Sequence, residues 1–142
     1  MEIRHIRPTE LLAAHRFVQS VVNETYAYIW RPVAPPIDET DWPPAWVVDD
    51  GASIIALMLT SNDWVDDLWV AASHRGLGTG SALLGKAEDE IVTRGHRRGL
   101  LRLVSGNNHA LDFYKCHGWS LMRTYRHERL SIDMIDLEKP LR

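Results

Sequence analysis

The stretch Leu68-Trp-Val-Ala-Ala-Ser-His-Arg-Gly-Leu-Gly-Thr-Gly80 constrains this chain more than any other. Branched and aromatic residues lead into a turn with glycine at 76, 78 and 80, and then into a periodic apolar run. Leu83, Leu84, Ala87 and Ile91 share one face at helical spacing, so a helix is expected from about Gly80 to Arg94, with Gly95 placed to stop it. A strand, a glycine turn and a helix in that order make an anion site. The glycines let the backbone curl so that successive N–H groups point inward, and the new helix adds its own unpaired N–H groups and its dipole. Arg75 adds a fixed positive charge at the mouth, and a pyrophosphate is the anion such a cradle suits.

A glycine turn at a strand–helix junction also serves tight packing alone, so this motif is not decisive by itself. Two better-known phosphate motifs are excluded by inspection. A P-loop ends Gly-Lys-Ser/Thr, whereas this turn ends Gly-Thr-Gly-Ser. A dinucleotide fingerprint spaces its glycines G-x-G-x-x-G, whereas these stand at G-x-G-x-G.

Elsewhere the chain alternates short strands with helices. Met1–Arg7 reads as a first strand and Pro8-Thr9 as a helix start. Leu11, Ala14, His15, Val18, Val21 and Val22 form an amphipathic stripe that dissolves after Tyr28. Residues 31–44 hold five of the seven prolines and read as an irregular loop, because proline neither donates to a ladder nor continues a helix. Strands are expected over Ala45–Val48, Ser53–Thr60 and Val65–Ala71, with Asp49-Asp50-Gly51 and Ser61-Asn62-Asp63 as turns between them. Leu100–Val104, Trp119–Tyr125 and Ile132–Leu137 complete the strands, and Asn107 and Gly118 bracket a third helix. Hairpins followed by strand–helix–strand–helix indicate an α/β or α+β domain with a mixed sheet.

At 142 residues the chain suits one domain. It has no apolar run near the length of a membrane span and no signal-like N-terminus, so a cytoplasmic location without membrane partners is expected. One cysteine, Cys116, rules out an internal disulfide framework and a multi-cysteine metal site. No HExxH or GxSxG occurs, the histidines are scattered, and no metal is expected. Charge is uneven. Between Arg31 and Arg75 there is no lysine or arginine, yet Asp38, Glu39, Asp41, Asp49, Asp50, Asp63, Asp66 and Asp67 lie there. This balance argues against nucleic acid and allows one half to attract a cation while the other handles an anion. The basic stretch Arg94, His96, Arg97, Arg98 and Arg102 reads as a solvated patch.

Downstream stands Asn107-Asn-His-Ala-Leu-Asp-Phe-Tyr-Lys-Cys-His-Gly-Trp119. Together with the glycine turn it resembles the GNAT superfamily of acyl-CoA-dependent N-acyltransferases. Arg75, Gly78 and Gly80 match the acyl-CoA signature Gln/Arg-x-x-Gly-x-Gly/Ala. Asn107, Ala110, Phe113, Tyr114, Gly118 and Trp119 match its companion, Asn-x-x-Ala-x-x-Phe-Tyr-x-x-x-Gly-aromatic. The match covers Val65 to Trp119, and the first sixty residues carry no signature.

The resemblance implies one acetyltransferase domain over 1–142, with a mixed, mostly antiparallel sheet of six to seven strands and three to four flanking helices. It implies acetyl-CoA as co-substrate, with a splayed sheet admitting the pantetheine arm. Backbone groups of Trp69 and Val70 would pair with that arm. Leu77, Gly78, Gly80 and Ser81 would hold the pyrophosphate through N–H groups, with Arg75, Gly76 and Thr79 also at the cofactor. Asn107 would contact the cofactor from the other side and Tyr114 would sit near the thioester sulfur, while Lys115 is a candidate for the nucleotide phosphates. A homodimer follows only by analogy with folds of this type.

Acyl transfer to an amine needs an unprotonated nucleophile, a stabilised oxyanion and a protonated leaving thiolate. Tyr114 suits the last task, because a phenol with a solution pKa near 10 is protonated at neutral pH. Asp66 is the expected base: it shares a strand face with Leu68 and Val70, whereas Asp67 has the opposite parity. Glu24, Tyr28, Trp30 and Asp67 are expected on the acceptor side, where charge and aromatic rings would favour a cationic amine. The acceptor is a small-molecule amine or a peptide amine. A non-catalytic acyl-CoA-binding module and a plain interaction domain are the competing readings.

Overall fold

The computed structural model describes residues 2–26, 45–127 and 131–141. Seven strands form one sheet in the order β1-β2-β3-β4-β5-β7-β6. They are β1 (Arg4–His5), β2 (Trp46–Asp49), β3 (Ile54–Ser61), β4 (Trp64–Val70), β5 (Arg98–Val104), β6 (Ser120–Arg126) and β7 (Asp133–Pro140). Three helices accompany them: α1 (Leu11–Tyr26), α2 (Thr79–Thr93) and α3 (Asn108–Cys116). Each expected element is present, with ends displaced by a residue or a few. The exception is β1, where only Arg4 and His5 pair with β2 rather than all of 1–7. The Pro-rich segment 31–44, with Tyr28 and Trp30 before it, lies outside the described residues.

The chain divides into two compact units, Met1–Leu59 with Asp67–Ala87, and Thr60–Asp66 with Glu88–Arg142. In the first, α1 buries the stripe its sequence sets out. Ala14 and Val21 are buried, and Phe17 and Val18 pack on a core of Ala14, Ala45, Val47 and Leu57. β2 and β3 are antiparallel across the Asp49–Gly51 turn. There the Asp49 carboxylate accepts the Gly51 N–H and Asp50 accepts those of Ala52 and Ser53, so the side chains replace the ladder where the backbone reverses. Arg4 ties the start of the chain to this hairpin by bonding both Glu10 and Asp49.

In the second unit, β5, β7 and β6 pair antiparallel, from Arg98↔Pro140 to Val104↔Met134 and from Ser120↔Glu138 to Arg126↔Asp133. β4 joins β5 in parallel through Trp64↔Leu100 and Val65↔Leu101. Leu100, Leu101, Leu103, Leu137 and Ile135 are buried, as the branched residues of central strands should be. Trp119 is 2% exposed and packs on Gly99, where a Cβ would lie 2.8 Å from the ring.

Candidate functional site

The glycine turn forms as its residues dictate. β4 ends at Val70, a short 3-10 turn over Ala72–His74 follows, and α2 starts at Thr79. Gly76 (φ 79°) and Gly78 (φ 85°) both sit in the left-handed region, and a Cβ at either would meet nothing within 4 Å. Conformation therefore requires glycine here, not crowding. Ala82 N–H bonds Gly78 O, the first bond of α2, and the N–H groups of the first turn precede any intrahelical acceptor. Thr79 is buried, Gly80 partly buried, and Ser81, Gly76 and Gly78 exposed, while Leu77 stands 70% exposed at the tip.

Arg75 does more than stand at the mouth. Its Nε donates to the Val70 carbonyl at 3.1 Å, and its Nη1 lies 3.8 Å from Glu24 on α1. The adjoining Ala71 N–H bonds Ile55 O at 2.8 Å, so the Val70–Ala71 peptide is held at both ends. The Val70 carbonyl expected to face a pantetheine amide is engaged by Arg75 in this structure. Glu24, expected to meet the acceptor, faces Arg75. Asp67 accepts the Trp69 indole N–H at 2.8 Å, and that ring meets Tyr26 edge-on at 6.3 Å.

In the other unit, Asn107 caps α3: its Oδ1 accepts the Ala110 N–H at 3.4 Å. Ala110, Phe113, Tyr114 and His117 form the inner stripe of α3, as their spacing predicts. Tyr114 is 6% exposed, and its ring stands edge-to-face against Phe113 (5.2 Å) and Trp119 (6.1 Å). Lys115 and Cys116 are exposed on the opposite side. Asp66 is exposed on β4 and accepts from the Ser61 hydroxyl.

The arginines of the basic stretch Arg94–Arg102 are exposed, and three of them also make ion pairs or hydrogen bonds within the sheet unit. Arg94 donates to Thr60 Oγ1 and to the Asn62 carbonyl, and Arg98 pairs with Glu138. Arg102 and Arg123 both bind Asp136, which is fully buried. No spacing rule points to Asp136, because its partners come from two other strands.

The sequence profile of the acetyltransferase (GNAT) family matches residues 15–119. The chain belongs to that family. It is an acyl-CoA-dependent N-acetyltransferase with a GNAT-like fold. Among solved structures it is similar to the ribosomal-protein-alanine N-acetyltransferase from Brucella melitensis, at TM-score 0.77 and 18% identity over 99% of both chains. It is also similar to yncA from Salmonella typhimurium with its cofactor acetyl-CoA, at TM-score 0.75 and 14% identity over 100% of this chain and 94% of that one. A third is Chaetomium thermophilum Naa20 in complex with a bisubstrate analogue, at TM-score 0.69 and 21% identity over 99% and 86%. No curated protein sequence matches the chain. Among the described residues no helix is long and apolar enough to cross a membrane, and no cluster of three or more His, Cys, Asp or Glu could hold a metal ion.

Proposed function

We propose that this member of the GNAT family transfers an acetyl group from acetyl-CoA to a primary amine by direct attack, as a single domain over 1–142. The observation that carries the reading is the turn itself: two glycines at positive φ between β4 and the first turn of α2, with Arg75 beside them. Backbone N–H groups, a helix N-terminus and a guanidinium fit a diphosphate. Arg75, Gly76, Leu77, Gly78, Thr79, Gly80 and Ser81 would hold it. Trp69 and Val70, with Asn107, Tyr114 and Lys115, would serve the rest of the cofactor. Acetyl-CoA supplies the acyl group as an activated thioester.

This chain's residues then have three tasks. Asp66 Oδ takes a proton from the attacking amine, directly or through water, as the C–N bond forms. A backbone N–H near Val70 stabilises the negative carbonyl oxygen. Tyr114 Oη gives a proton to the departing sulfur as the C–S bond breaks. The acceptor is a small amine or a peptide amine, and the ribosomal-protein-alanine N-acetyltransferase among the similar folds supports the second. A preference for cationic amines draws no support from Glu24 or Asp67, whose carboxylates face Arg75 and Trp69.

Thermal denaturation with acetyl-CoA, CoA, ATP and NADPH tests the cofactor. A ligand at 100 times its Kd adds about 2.7 kcal/mol and raises the midpoint by several degrees. Stabilisation by acetyl-CoA and CoA alone is the expected result. The absence of any CoA-dependent shift would return the turn to a purely structural role.

A further inference from the structure

The row of side chains across β4, β5, β7 and β6 in the second unit has a construction that packing alone does not require. Asp136 is 0% exposed in the middle of it. Its Oδ1 accepts from Arg102 Nε (3.4 Å) and Tyr125 Oη (3.0 Å), and its Oδ2 from Arg123 Nε (2.7 Å). Two guanidinium groups thus share one buried carboxylate.

Geometry sharpens this. Each guanidinium spends only its Nε on Asp136, and neither makes another hydrogen bond to a described residue. The Nη groups of both therefore remain available, and these are the donors that grip a carboxylate bidentately. Each guanidinium is also laid on a ring, Arg102 over Trp64 at 4.9 Å and Arg123 over Tyr125 at 4.8 Å. An aromatic floor and a buried anchor fix the plane of a side chain that otherwise has many rotamers. Both arginines are still half-exposed, at 50% and 59%.

The row adjoins the proposed base. β4 and β5 pair at Trp64↔Leu100 and Val65↔Leu101, and Asp66 and Arg102 are the next residues along their strands. Alternation along each strand puts Asp66 on the face of Trp64, which carries Arg102. From β4, Arg102 on β5 is one strand spacing away and Arg123 on β6 is three, roughly 5 and 14 Å.

We infer that Arg102 and Arg123, held by Asp136, Trp64 and Tyr125, bind a carboxylate of the acceptor. The acceptor is then an amine that carries an acidic group roughly 5–14 Å from its nitrogen. A dicarboxylic amino acid and a peptide with Asp or Glu in its first two positions both have that chemistry. The inference rests on the acetyltransferase reading and deepens it, because Asp66 would meet the amine while the arginines meet the acid.

Two measurements test it. In acetyl-CoA-dependent thiol release, glutamate is compared with glutamine, and amidated Ala-Glu-Ala with amidated Ala-Gln-Ala. The expected result is a kcat/KM at least about tenfold higher for the acid in one pair, and that pair identifies the source. In Arg123→Gln the ratio should fall towards one with the acetyl-CoA KM unchanged, and in Arg123→Lys it should fall in part. Equal use of acid and amide by the wild type in both pairs overturns the inference.

The second measurement needs no turnover. Glutarate should raise the midpoint of the acetyl-CoA-loaded wild type while glutaramide does not, and Arg123→Lys, which keeps a cation on Asp136, should lose most of that shift. No response to glutarate overturns the anion site, whereas no response to acetyl-CoA overturns the function on which it rests.

Discussion

Arg4 grips Glu10 through two hydrogen bonds of 2.8 Å, one from each terminal nitrogen to each carboxylate oxygen. The same guanidinium reaches Asp49 at 2.7 Å, so one side chain joins β1, the start of α1 and the β2–β3 hairpin. The Arg4 hydrogen bonds, helped by the Arg7 N–H, hold the Glu10 carboxyl at about 2, well below its ordinary 4.5. Asp49 is lowered by Arg4 and by the Gly51 N–H. The folded state thus binds these protons more weakly than the unfolded chain. The stabilisation is complete above about pH 4.5 and is lost as the pH falls towards 2. Melting curves from pH 6 to about 2.5 should show Glu10→Gln losing less of its midpoint than the wild type. Parallel losses in the two proteins would remove this pair from the acid response.

Tyr114 is packed between Phe113 and Trp119, so replacing it with phenylalanine removes one oxygen and leaves the ring contacts in place. Tyr114→Phe should lower kcat about tenfold or more, with acetyl-CoA binding nearly normal. An unchanged kcat would take the acid role away from this phenol.

Asp66→Asn should lower kcat/KM and abolish the limb of the pH–rate profile that belongs to the base. The Ser61 hydroxyl can still donate to an asparagine oxygen, so the strand end should keep its shape. A variant with the wild-type profile would place the base elsewhere.

Gly78 is at φ 85° with open space around its Cβ position. Gly78→Ala therefore strains the backbone without a clash, at a cost of about 1 kcal/mol. The expected signature is a raised KM for acetyl-CoA with small loss of stability. Wild-type KM would mean that the turn does not touch the cofactor.

Gly99→Ala works through space instead, since its Cβ would lie 2.8 Å from a ring carbon of the buried Trp119. It should destabilise the fold by about 1–3 kcal/mol, and Gly99→Ala with Trp119→Phe should recover part of that loss. Denaturant titration of the single and double variants gives the comparison.

Much of this was legible along the chain because the physics behind it is local. The left-handed φ at Gly76 and Gly78, the Asn107 cap and the stripes of α1, α2 and α3 each follow from a few neighbouring residues. The two family motifs sit on those local features, which is why fold and chemistry could be read together. Helix and strand ends shifted slightly because the last hydrogen bonds depend on the partner, not on the segment.

What the tertiary structure alone decided lies in pairings across long sequence separations. Arg102, Arg123 and Tyr125 converge on Asp136 only because β7 inserts between β5 and β6. Arg75 could be read as a charge beside the turn, but its hold on the Val70 carbonyl comes from the path of the chain through Ala72–His74. By itself the sequence determined that there is a glycine turn leading into α2 and a tyrosine-bearing helix α3. Sheet register, which no local rule sets, decided which arginines share a buried carboxylate and which strand face they arm.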